Sequence, residues 1–240
     1  MDKSLEPTKN IESKPIDELG SLDDQFEDLL NATAHLHRDM QRFALCVDAT
    51  SSMGHVWSRA KSALKSAVDY IQENSNCPVQ IKVVAYRDKD YDKQYVEASE
   101  WSSDTRYLHN YIAKMSCHGG GDYEESIGQG FKHLLRDQQR ANQIILIGDA
   151  TGKGDDTGYT EAQAFGQQEC PIYALYTNDE PRLVTAFERI ARLSGGKAFL
   201  LDAEANLKDI FTVLIASNKR LKITYQATSI EGRRMADALK

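Results

Sequence analysis

The chain has 240 residues, with 29 Lys+Arg against 36 Asp+Glu, a formal net charge of −7 and a 41% hydrophobic fraction. That length suits one domain of roughly 200 residues plus a tail, and the apolar content supports one sizeable core and excludes wholesale disorder or a collagen-like repeat. Net acidity argues against a duplex nucleic-acid binder, which needs a basic stripe facing phosphates.

Charge is unevenly spread. Residues 1–40 hold ten acids and four bases, a net −6, whereas 41–240 hold 26 and 25, a net −1. The opening is polar, contains Pro7 and Pro15 and has no apolar stretch of the kind a signal peptide uses, so residues 1–20 read as a flexible acidic tail. Ser21 then caps a helical pattern carried by Leu22, Phe26, Leu29, Leu30 and Leu36, which predicts a helix over 21–39. No apolar run reaches the roughly 18 residues of a spanning helix. Nothing suggests export, so the cytoplasm is the default expectation, and in a reducing compartment the four cysteines (Cys46, Cys77, Cys117, Cys170) read as free thiols.

From residue 42 strands alternate with helices. Strands are predicted at 42–47, 79–86, 94–101, 143–147, 172–176 and 197–201, and helices at 56–71, 105–115, 123–135, 160–168, 181–193 and 206–217. The short charged turn between the second and third strands implies a hairpin, and the polar third strand an edge. The other connections are helical. The fold class is therefore α/β, doubly wound, with a mostly parallel six-stranded sheet, one antiparallel edge strand and helices on both faces. This domain is expected over 40–218, with a C-terminal extension over 219–240. Right-handed crossovers place the binding crevice at the carboxyl ends of the strands.

Those ends carry the chemistry. The first strand runs into Asp48-Ala-Thr50-Ser-Ser52, a carboxylate followed by hydroxyls two and four residues on, an oxygen set suited to Mg²⁺, Mn²⁺ or Ca²⁺. The fourth strand ends at Asp149, which parallel topology brings beside the first loop. Between them lies Cys117-His-Gly-Gly-Gly121-Asp122-Tyr-Glu-Glu125, whose glycines permit close backbone approach.

With these residues the chain resembles a von Willebrand factor type A domain. That family's metal-ion-dependent adhesion site uses Asp-x-Ser-x-Ser, a Thr on a second loop and an Asp after the fourth strand. Asp48, Thr50, Ser52 and Asp149 match the first and third elements, with Thr for the first Ser. The second element departs: Gly119–Glu125 resembles the Gly-Gly-Gly-Asp-x-Pro-Glu loop of a subset that includes the type A domains associated with alpha-kinase-like proteins, with Glu124 at the Pro position. Tyr86-Arg87-Asp88 matches the Tyr-Arg-Asp of that subset. The resemblance covers about residues 40–218.

It implies a Mg²⁺-like ion held by Asp48, Ser52 and Asp149, with Thr50, Asp122 and Glu125 as further members of the set. Four carboxylates around one divalent ion would leave a poor electrophile. Some acids then act from behind the ligands, or a second cation binds near Asp88 with Asp122 or Glu125, or the partner offers a neutral or basic group. Arg87 and Asp88 are otherwise a rim, or a surface turn with an ion pair. Read alone, Asp48-x-Thr50-x-Ser52 is also an N-cap pattern, and Asp122 and Glu125 also suit a helix start. The agreement of three strand ends favours ligation.

Enzyme readings fit less well. A haloacid-dehalogenase-like phosphatase needs a second Asp where Thr50 stands, and Gly148–Gly154 has the wrong glycine spacing for a phosphate loop. The six histidines show no zinc spacing. The expected function is a non-catalytic, metal-dependent protein-interaction module, an intracellular adaptor or regulatory subunit whose protein partner engages the metal face, with neither nucleic acid nor membrane. A metal-dependent phosphatase or hydrolase, and a metal-free scaffold with a degenerate site, are the alternatives. In the family, movement of the last helix, here 206–217, can couple to binding.

Overall fold

The computed structural model describes residues 40–74, 77–90, 93–120 and 124–201. The predicted tail, the helices over 21–39 and 206–217, and the extension over 219–240 lie outside the described residues, as does Asp122.

Eight strands, β1 (Gln41–Asp48), β2 (Val79–Tyr86), β3 (Val96–Ala98), β4 (Glu124–Glu125), β5 (Gln143–Gly148), β6 (Thr151–Gly152), β7 (Ile172–Tyr176) and β8 (Ala198–Leu200), are described. The helices are α1 (Gly54–Asn74), α2 (Thr105–Lys114), α3 (Ile127–Leu135), α4 (Tyr159–Gln167) and α5 (Pro181–Ser194). The main sheet has six strands in the order β3-β2-β1-β5-β7-β8. Only the β2–β3 pair is antiparallel, so the predicted doubly wound sheet with one antiparallel edge is observed.

Strand alternation explains the two cores. Phe43, Leu45 and Val47 project to a cluster with Leu64 and Val68 of α1 and Leu108 and Ile112 of α2. Ala44 and Cys46 project to the other face, against Phe131 of α3, Phe165 of α4 and Phe187 of α5. Both faces of β1 are thus covered, which is why its sequence is a continuous apolar run and not an alternating one. Helix ends follow local chemistry. The Asp104 carboxylate accepts the amides of Arg106 and Tyr107 to start α2. Pro181 opens α5, the Glu180 carboxylate accepts the Leu183 amide, and Gly195 at φ 82° ends it.

Of the boundaries that differ from the sequence expectation, two have a clear local cause. Strand β3 is shorter than 94–101 because the Ser99 hydroxyl accepts the Val83 amide, taking over a ladder bond before the chain re-pairs at Ser102 with Ile81. Helix α3 starts at Ile127, not 123, because Glu124 and Glu125 pair with Thr151 and Gly152 as the small parallel sheet β4–β6. Periodicity does not reveal a two-residue strand whose partner lies more than twenty residues away.

Candidate metal centre

The β1 terminus and the short 3₁₀ turn Ser51–Met53 that follows it build the floor. Asp48 is fully buried. Its Oδ1 accepts the Thr50 backbone amide at 2.9 Å and the Thr50 hydroxyl at 2.6 Å. Thr50 Oγ1 lies 3.1 Å from Ser52 Oγ, and Ser52 Oγ donates to Asp149 Oδ1 at 2.9 Å. The four residues therefore form one hydrogen-bonded arc, from a buried carboxylate to an exposed serine at the mouth. Thr50 does not cap the following turn through its side chain; its hydroxyl is committed to Asp48.

The glycine loop is anchored to the same floor. Ser51 donates through its amide and its hydroxyl to the Gly119 carbonyl, and the His118 amide donates to the Ala49 carbonyl. Gly120 sits at φ 81°, and a β-carbon there would lie 3.3 Å from Thr50 Cβ and 3.4 Å from Glu125 Oε1. A side chain there is strained by the left-handed backbone and crowded by Thr50. The same distances place the buried Glu125 carboxylate against the Thr50–Gly120 contact. β4–β6 pairing and the bond from the Lys153 amide to the Glu125 carbonyl hold it there. Asn178 Nδ2 donates to the Asp149 carbonyl and ties the third loop to the end of β7.

Electrostatics favour a cation at this point. Burial, and then the charge of Asp149, push the Asp48 carboxyl up to about 7, against the opposing hydrogen bonds from Thr50. Asp48 Oδ2 is buried and has no hydrogen-bond partner among the described residues. A buried carboxylate oxygen without a donor is costly, and a divalent ion would satisfy it. The donor set is oxygen only, two carboxylates and two hydroxyls with Glu125 adjoining, which suits a hard ion. Among the described residues no three His, Cys, Asp or Glu side chains form a metal cluster, so the hydroxyls are needed to complete the set. The residues present fit a divalent cation. Cys46 and Cys117 lie beside the site as protonated thiols: burial first, then the Asp48 charge, raise both, Cys117 to about 12.

Arg87 and Asp88 occupy a different position. Both are buried. Arg87 pairs with Glu97 at 3.2 Å and donates to the Ser116 carbonyl at 3.0 Å, fastening the hairpin to the segment before the glycine loop. Asp88 accepts the Asp90 amide at 2.8 Å and the Lys153 ammonium at 3.3 Å. Each is thus a brace between loops, and Lys153 already brings a positive charge to Asp88. Sequence reasoning passed over Ser51, Gly120 as the point of closest approach, and Lys153. The glycine run signalled the second of these. Ser51 and Lys153 carry no local pattern, because their partners are distant in the chain.

The sequence model of the von Willebrand factor A domain matches residues 42–203. No curated protein sequence matches the chain. Among solved structures, a von Willebrand factor type A protein from Catenulispora acidiphila superposes with a TM-score of 0.60 at 16% identity, over 74% of this chain and 42% of that one. Proximal thread matrix protein 1 from the mussel byssus, with a zinc-occupied MIDAS motif, gives 0.56 at 18% identity, over 73% and 47%. The pilus adhesin SpaC from Lactobacillus rhamnosus GG gives 0.54 at 13%, over 71% and 29%. The chain spans less than half the length of each of these, and at such identities the likeness is one of fold. The sheet order, the strand-end site and the match over 42–203 together make this chain a member of the von Willebrand factor type A domain family.

Proposed function

We propose that the protein is a metal-dependent protein-interaction module, non-catalytic, working inside the cell as an adaptor or regulatory subunit. The observation that carries this reading is the arc Asp48–Thr50–Ser52–Asp149 over a buried, partnerless Asp48 Oδ2. A divalent cation bound there would meet Asp48, Ser52 and Asp149, with Thr50 and Glu125 close by. Mg²⁺ is the expected ion, and Mn²⁺ and Ca²⁺ share its preference for oxygen. The exposed mouth at Ser52 leaves room for an oxygen-bearing side chain of a protein partner to complete the coordination.

The affinity with the Gly-Gly-Gly-Asp-x-Pro-Glu subset is part of the same proposal. Its support is the left-handed Gly120 against Thr50 and the buried Tyr86-Arg87-Asp88 segment. Four free cysteines support a reducing compartment. Among the described residues no helix is long and apolar enough to cross a membrane.

The test is calorimetric titration of the full chain with Mg²⁺, Mn²⁺ and Ca²⁺, followed by lysate pull-downs with and without chelator. Saturable binding that Asp48→Ala abolishes, with a chelator-sensitive set of captured proteins, is the expected result. Identical captured sets for wild type, chelated wild type and Asp48→Ala would overturn the proposal.

A further inference from the structure

Away from the metal centre, a cavity of about 270 Å³ opens between the hairpin segment ahead of and entering β3 and one face of α3. Gln129, His133 and Arg136, spaced by four and three residues, line it from the helix, and Lys93 and Tyr95 from the hairpin. The lining holds three nitrogen bases and no carboxylate.

The neighbouring cations are each committed to an acid: Lys82 to Asp137, Arg87 to Glu97 and Lys132 to Asp156. By contrast, the Lys93 ammonium and the Arg136 guanidinium have no hydrogen-bond or ion-pair partner among the described residues. Arg136 also stands at the C-terminal end of α3, where its charge meets the negative end of the helix. That leaves its planar fork of donors free to engage a ligand. Burial, and then the charge of Lys82, hold the His133 imidazole below its ordinary range, so near neutral pH it offers one N–H donor and not a third fixed charge.

We propose that this cavity binds a phosphoryl group through Arg136 and Lys93, with His133 and the Tyr95 hydroxyl as further donors. A guanidinium fork and an ammonium approaching from two elements match a tetrahedral dianion better than a planar carboxylate. The volume lies below the ~300–1,000 Å³ of typical small-molecule sites. The cavity is small and open to solvent, so it accommodates a phosphoryl group with its ester carbon, with the rest of a larger ligand lying outside it. Two sources present this chemistry, a free phosphate and a phosphorylated side chain. The site is independent of the metal reading.

The experiment is NMR titration of the isotopically labelled full chain with inorganic phosphate and, separately, with O-phosphoserine at constant ionic strength, following the His133 and Arg136 resonances. Saturable shifts are expected, with affinity about tenfold weaker or worse in Lys93→Gln/Arg136→Gln and unchanged in Arg42→Gln, whose guanidinium is held by Gln80 and Gln139 elsewhere. Tighter binding of phosphoserine identifies a side-chain source, and equal binding identifies free phosphate; either supports the site. Because Lys93 and Arg136 are exposed, the double variant keeps the fold. Shifts that never saturate, or equal affinity in wild type and double variant, would overturn the proposal.

Discussion

Two carboxylates, one fully buried at the end of β1 and one partly buried just after α3, behave in opposite ways. Asp137 lies beside the second core, where the Lys82 ammonium and the Trp101 indole N–H both donate to its Oδ2. Burial alone would raise its pKa, but the bonds from Lys82, the Gln139 amide and Trp101 outweigh that and hold it below the ordinary range. Asp48, at the strand ends, has only the Thr50 donors and a second acid nearby, and its pKa rises. The lesson concerns where the countercharge resides. Around Asp137, and likewise around Asp156 with Lys132 and Asp88 with Lys153, the chain supplies its own cation. At Asp48 no cationic side chain pairs with the carboxylate among the described residues, so under the proposed function a cation from solution would supply the charge.

Substitutions can break that contrast, and the largest effect is expected at the metal face. Asp48→Ala removes the deepest of the proposed ligands, and Mg²⁺ affinity should fall about a hundredfold or more, roughly 3 kcal/mol, as read by calorimetry. Next, Lys82→Met removes the cation that Asp137 pairs with and should cost about 1–2 kcal/mol of stability, measured by urea unfolding. Matching loss in Asp137→Ala with no further loss in the double variant would locate the effect in the pair.

Gly120→Ala forces a β-carbon into the Thr50 contact at positive φ. It should destabilise the fold by about 1 kcal/mol and weaken metal binding several-fold, since Thr50 must shift. Asp48→Asn should do the reverse to stability. In chelator at pH 8 it removes a buried charge that faces Asp149, and a gain of about 1 kcal/mol is expected, alongside loss of metal binding. Equal or lower stability of Asp48→Asn would show that the wild-type carboxylate is compensated from within the chain.

The smallest expected effect is on acid stability. The folded-state pKa of Asp137 is depressed, so its contribution is fully present above the ordinary carboxylate range and is lost as pH falls through the lower folded value. Lys82→Met removes that term. Its urea midpoint should therefore differ most from wild type near neutrality and converge with it in acid.

Much of this was legible in the sequence because it is local or periodic. The uninterrupted apolar runs at 43–47 and 144–147 mark strands covered on both faces, and Pro181 and Gly195 bracket a helix. Asp48-x-Thr50-x-Ser52 places three oxygens on one tight loop. The glycine run signals close approach before any neighbour is known, although only the fold identifies that neighbour as Thr50. The β4–β6 pairing was not legible, since two residues show no period. Nor were the roles of Arg87 and Asp88, whose charged side chains look like a surface turn until Glu97 and Lys153 are seen beside them.

Residue order by itself therefore determined the strand and helix succession, the oxygen chemistry of the first loop and the likeness to a family. Tertiary structure decided which charges are paired. Hydropathy and spacing record what each residue is, whereas compensation of a charge depends on distance and burial, which arise only when segments far apart in the chain meet. Asp48 and Asp137 are the same side chain. What separates them, among the described residues, is that a lysine reaches Asp137 and none reaches Asp48.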